Sequence, residues 1–198
     1  MPRVDIFDEK KAAQVAAYFL FRSGNQAQMS VLKLMKLLYL SERRSYQIYS
    51  EPLIGDRLVS MPHGPVLSIT YNHMNGEIAD STADGWSHLI NSRNGSSIGL
   101  RPGSRIEDPE RDLLELSDSD LELLKNVWDD FGWMSPFQIR DYTHDHCPEW
   151  TDPNGSMIPM TFGDLFEALE FSRDRHSETL ALIEEKSSIA RSFKQACA

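Results

Sequence analysis

The segment THDHCPEW, residues 143–150, gathers the residue types that most readily do chemistry. His144, His146 and Cys147 offer imidazole nitrogens and a thiolate, all of which zinc accepts. Cys147 has no second cysteine at two-to-four spacing, so a metal site would need a further ligand from a distance, from His63 or His73. The same cluster offers a second chemistry, a thiol nucleophile beside a histidine base, with Asp141 or Asp145 nearby as acids. His144 and His146 stand two apart at a helix end, however, and point in different directions on a regular helix. The plainer reading makes His144 a buried, hydrogen-bonded histidine, with Pro148-Glu149-Trp150 ending the helix against the core.

A second cluster is MPHGPV, residues 61–66. His63 has no neighbouring acid or nucleophile, which gives little support to proton transfer there. Proline suits the first turn of a helix, where its missing N–H is not needed. Gly64 is therefore expected as the cap and Pro65 as the first residue of a short helix carrying Val66, Ile69 and His73. No Walker loop, GxGxxG, GxSxG or HExxH motif occurs, and no cofactor is expected.

Lys33, Lys36, Arg43, Arg44 and Gln47 share one helix with Leu34, Leu37 and Leu38. The leucines face a core. The cations fall mostly on another face, expected to be solvated, or else a contact surface for an acidic partner. Phosphate contact by these cations, with Tyr39 and Tyr46 beside them, is the nucleic-acid alternative. Against it stands a formal net charge of −10, whose average field repels phosphates.

These residues need elements to hold them. Asp8 caps a helix over 9–22 with Ala12, Val15, Ala16 and Phe19 inward, and Gly24 is placed to end it. Ser30 opens the leucine-rich helix, closed by Glu51-Pro52. PLIGDRLVSM holds a short extended piece. Ser117 with Asp120, Ser135 with Gln138 and Thr161 with Asp164 are capping boxes for three further helices. Leu121, Leu124, Trp128 and Phe131 line the first of them; Phe137, Ile139 and Tyr142 supply the apolar contacts of the second. Beyond Thr161 either one long helix leaves the body or two helices meet near 173–177. Residues 75–110 are glycine- and serine-rich, with SIGLRPG as a possible strand and with Trp86 and Leu89 pinning the region to the body.

With 198 residues, 40% hydrophobic and 25% charged, the chain can bury one real core. Two cysteines, Cys147 and Cys197, make no disulfide framework. The N-terminus lacks a basic start followed by an apolar run, and no apolar stretch is long enough to span a bilayer. The expectation is a cytoplasmic protein with reduced thiols and no membrane contact.

Three separated motifs carry a resemblance. KLMKLLYLSERRSYQIYSEPLIGD has a KLxKLLY core followed by Pro-Leu; HGPV is followed by Tyr71; and SDLELLKNVWDDFGWMSPFQIRDYTHDHCPEW ends in Thr-His and then Trp. In order and spacing these resemble the Panacea domain, the SocA-like antitoxin or phage-associated GepA-like family, over roughly residues 10–151. The resemblance implies a mainly α, compact single-domain helical fold, with a short β or irregular insertion around 75–110. It assigns residues 1–160 to the domain and 161–198 to a C-terminal helical extension, packing on the domain or leaving it. It also implies a bacterial or phage antitoxin that is not an enzyme and that neutralises a cognate protein toxin, encoded by an adjacent gene, through direct binding. The alternatives are an adaptor delivering the toxin to an ATP-dependent protease, or a metal- or thiol-dependent enzyme centred on His144, His146 and Cys147. SMPHGP departs from the aromatic or basic residue common before the Gly-Pro. Candidate toxin contacts are His63, Gly64, Pro65, Tyr71, Trp86, Trp133, His144 and Trp150, since interfaces favour aromatic anchors among adaptable polar groups.

Overall fold

The computed structural model describes residues 6–24 and 27–196, and is mainly α. The expectations for the first five residues, for Asn25-Gln26 and for Cys197 lie outside the described residues. Helix α1 (Glu9–Arg22) starts where the Asp8 carboxylate accepts from Lys11 N–H. It ends at Ser23, with Gly24 following in the left-handed conformation at φ +63° and its N–H donating to Phe21 O, as expected of a glycine that closes a helix. Ala12, Val15, Ala16 and Phe19 are completely buried along it.

A three-residue strand, β1 (Gln28–Ser30), leads into α2 (Val31–Tyr49), whose Ser30 hydroxyl caps Lys33 N–H. Helix α2 is the axis of the fold. Leu34, Leu37 and Leu38 are fully buried, and so are Lys36 and Tyr39 on its adjoining face. Its last residues are held from a distance: Arg175 donates to the carbonyls of Tyr46 and Gln47 and to Ser50 Oγ, and its guanidinium lies 3.9 Å from the Phe171 ring.

The expected helix at Gly64-Pro65 is instead a β-hairpin. Strand β2 (Leu58–Met61) pairs antiparallel with β3 (Gly64–Leu67), with Ser60 opposite Pro65. The helix begins only at α3 (Ser68–Asn75). The Pro65 carbonyl points away from β2, toward Lys36. A strand residue's N–H and C=O share one edge, so the missing N–H costs the hairpin no ladder bond. Behind the turn the buried Asp56 carboxylate accepts from the backbone N–H of Ile69 and Thr70, starting α3 without a cap from Leu67.

Residues 75–110 carry more structure than their composition suggests. Helix α4 (Trp86–Leu89) packs on α1 with Trp86 buried in the core. Strand β4 (Ser97–Gly99) pairs with β1, placing Ile98 opposite Met29. A short α5 (Pro109–Asp112) follows. The three capping boxes form as read, opening α6 (Asp118–Phe131), α7 (Pro136–His146) and α8 (Phe162–Ala168). Between the last two, β5 (Ile158–Pro159) adds to β2. The C-terminal pattern resolves as two helices, α8 and α9 (Arg173–Ala196), with Tyr46 meeting Phe162 and Phe166 edge-on.

Candidate functional site

The three motifs meet. Helix α2 offers Lys36, Tyr39 and Arg43, which share a face at i, i+3 and i+7. The β2–β3 hairpin offers Met61, Gly64 and Pro65. The end of α7 offers Thr143, His144, Cys147, Glu149 and Trp150.

Lys36 lies at the junction. Its Nζ is fully buried and donates to Pro65 O at 2.7 Å. Burial without an opposing carboxylate lowers its pKa from 10.5 to about 7. Gly64 sits directly against it at φ +98°, where a Cβ would stand 2.7 Å from Lys36 Nζ and 2.9 Å from Thr143 Oγ1. Only glycine combines that backbone angle with that approach.

One turn along α2, Tyr39 Oη donates to Glu149 Oε1, and Arg43 Nε donates to the same oxygen at 2.8 Å. A buried carboxylate needs such donors, because an isolated one costs several kcal/mol or more in a low dielectric. Trp150 closes the arrangement: its Nε1 donates to Met61 O at 3.0 Å, and the His144 ring stacks on it with centroids 4.1 Å apart. His144 is therefore stacked rather than hydrogen-bonded through its buried Nε2, which has no partner among the described residues. His146 stacks on Tyr142 and is exposed. Cys147 is buried, and burial pushes its thiol up to about 12. A thiol so placed is almost never a thiolate at neutral pH and is a poor nucleophile.

The cations of α2 are not a solvated stripe. Lys33 donates to Gly132 O at 2.6 Å and lies over the Trp128 ring. Arg44 pairs with Asp130 at 2.7 Å, Arg43 with Glu149, and Lys36 is interior. Each is committed within the molecule, which leaves these four little to offer a phosphate backbone.

The residues expected to contact a partner divide by depth. Gly64, Pro65 and Trp86 are buried; Tyr71, His144 and Trp150 are half-buried; His63 is exposed at the hairpin turn. Trp133 is 70% exposed, and Phe137, expected to pack inward, is 64% exposed. Met35, Met61, His63, Val66 and Tyr71 line a small apolar pocket of about 150 Å³ above Lys36. Ligating atoms do not gather around Cys147; among the described residues they gather at Glu9, His73 and Asp80. Sequence reading could have found the Lys36-Tyr39-Arg43 face from its spacing, but its partner Glu149 is too distant in the chain to be paired with it.

Residues 34–151 match the family described as antitoxin SocA-like, Panacea domain. The chain belongs to this family. No curated protein and no solved structure matches it. The Panacea match begins inside α2, one residue after Lys33 opens the first motif, and ends one residue past Trp150, so it spans the shared junction of the three motifs.

Proposed function

We propose that this Panacea-domain chain is a cytoplasmic antitoxin that binds and neutralises a cognate protein toxin encoded by an adjacent gene. Family membership supports a toxin–antitoxin role. The observation that carries the binding mode is the pair of exposed aromatic rings, Trp133 and Phe137, four residues apart across the α6–α7 turn.

The turn is stiff. The α7 capping box fixes its exit, and Trp133 Nε1 donates to Asp130 O at 2.9 Å, which orients the indole. Arg140 lies 5.1 Å from the centroid of the Phe137 ring. Pre-oriented aromatic rings flanked by arginine are the residue types that dominate interface energies, each hot spot contributing roughly 2 kcal/mol or more. A net charge of −10 suits a basic toxin surface and speeds encounter. No helix among the described residues is long and apolar enough to cross a membrane. The candidate contacts His63 and Tyr71 remain available at the pocket mouth, whereas Trp86 serves the core.

The test is growth rescue. Each neighbouring reading frame is induced with and without this chain, and the pair is co-purified. Rescue with co-purification that fails for Trp133→Ala/Phe137→Ala supports the reading; the absence of a toxic neighbour and of any co-purifying protein removes it. Repeating the rescue in a host lacking its ATP-dependent proteases separates blocking from delivery to degradation.

A further inference from the structure

Apart from the residues of the α2–hairpin–α7 junction, α1, α3 and the segment before α4 bring together Glu9, His73 and Asp80. One ligating atom from each lies within 4.8 Å of the others. We propose that these three residues form a binding site for a divalent transition-metal ion of the zinc class.

The His73 ring is clasped between Phe7 and Trp86, stacked at 6.0 and 5.9 Å, and is 5% exposed. Its Nε2 stands 4.0 Å from Glu9 Oε2 and its Nδ1 stands 3.8 Å from Asp80 Oδ1, both beyond hydrogen-bond reach. Nδ1 is buried with no hydrogen-bond partner among the described residues. A buried imidazole nitrogen left unbonded while facing a carboxylate is costly unless something sits between them.

The carboxylates are already oriented as ligands usually are. Glu9 accepts from Ser81 N–H, Ser81 Oγ and Trp86 N–H, and Asp80 Oδ2 accepts from Ser87 N–H and Oγ. Such outer hydrogen bonds hold ligating groups in place. The neighbouring lysines do not neutralise them: Lys10 pairs with Asp84 and Lys11 with Asp120. Burial lowers the His73 pKa, against the pull of Glu9, Asp80 and Asp56.

An imidazole with two carboxylates suits zinc, manganese or ferrous ions better than magnesium or calcium. Zinc bonds of about 2.0–2.2 Å place ligand atoms about 3.4 Å apart, so side-chain movements of about an ångström close the site. A cavity of about 320 Å³, lined by Phe7, Glu9, Lys10, Ser81 and Thr82, reaches the Glu9 side of the cluster. Bound there, the ion would tie three chain segments together and fasten α4 to α1.

Untagged full-length protein, stripped with chelator and titrated with Zn²⁺, tests this by calorimetry, metal analysis and thermal melting. One zinc per chain is expected, with a melting temperature that rises with zinc. Asp80→Asn and Glu9→Gln, each folded by circular dichroism, are expected to weaken binding at least tenfold. His146→Ala/Cys147→Ser is expected to bind as the wild type does. The proposal is overturned if the wild type holds no zinc and melts independently of it. It is equally overturned if binding survives in both carboxylate variants, or is lost in the His146/Cys147 variant. His73→Ala adds to the result where it folds, and the two carboxylate variants decide where it does not.

Discussion

A methyl group on Gly64 would stand 2.7 Å from the Lys36 amino nitrogen, so the hairpin turn and the central helix fit only because position 64 has no side chain. Gly64→Ala is expected to cost roughly 2–4 kcal/mol, combining the left-handed backbone with the crowding. Chemical denaturation measures it. In a Lys36→Met background the crowding eases and the backbone strain stays, so the cost of the same change should shrink without vanishing.

Lys36 itself makes a pH prediction. Unfolded, it holds its proton up to about 10.5; folded, only to about 7. The unfolded chain therefore binds more protons between those values, and stability rises with pH across that window. The full cost of the buried lysine is present below about pH 7. Lys36→Met is expected to stabilise the protein by about 1–3 kcal/mol at pH 7, after the lost bond to Pro65 O is counted. Its advantage should shrink toward pH 10. Parallel stability curves for the two proteins from pH 7 to 10 would refute the burial argument.

Tyr39→Phe removes one of two donors from the Glu149 oxygen while leaving the carboxylate in place. A loss of about 1–3 kcal/mol is expected. His63→Ala, at the exposed turn, is the contrast and should stay within about 0.5 kcal/mol of wild type. Should His63→Ala abolish neutralisation in a folded protein, the hairpin turn belongs to the interface.

The thiol-enzyme alternative is tested on Cys147. In a Cys197→Ala chain, a thiol reagent at pH 8 should label Cys147 at least about a hundredfold more slowly than it labels the denatured chain, because the thiol is buried and pushed up to about 12. Rapid labelling of the folded chain would reopen a nucleophilic role.

Trp133→Ala and Phe137→Ala should each leave folding stability within about 0.5 kcal/mol, since neither ring is in the core. Each should weaken toxin binding at least tenfold. Trp86→Ala should instead cost roughly 3–5 kcal/mol. Equal toxin affinity for wild type and Trp133→Ala would move the interface elsewhere.

What could be read from the chain followed the range of the forces involved. Asp8, Ser30, Ser117, Ser135 and Thr161 act within one helical turn, and their caps appear as read. Family membership was legible because three motifs keep their order. The Gly64-Pro65 hairpin was not: glycine then proline suits a helix start as well as a turn, and four-residue strands leave little alternation to detect. Lys36 reads in the sequence as a surface cation because nothing local reveals Pro65 O, 29 residues away, as its partner. Phe137 reads as an apolar contact of α7 together with Ile139 and Tyr142, yet Ile139 is buried and Phe137 is exposed. Glu9 and Asp80 gave no signal at all, since the site they share with His73 joins segments that meet only in the folded chain.

The bond from Tyr39 to Glu149 spans 110 residues, and this sets a clock. At ordinary translation rates, the tyrosine waits roughly 5–20 s after its own synthesis before its partner is made. Throughout that interval α2 has its leucines but neither the carboxylate nor the tryptophan that complete its surroundings. A nascent copy is thus no finished binder until Glu149 and Trp150 have been added and have left the ribosome, and a cell's working supply of this protein lags the synthesis of its central helix by that much.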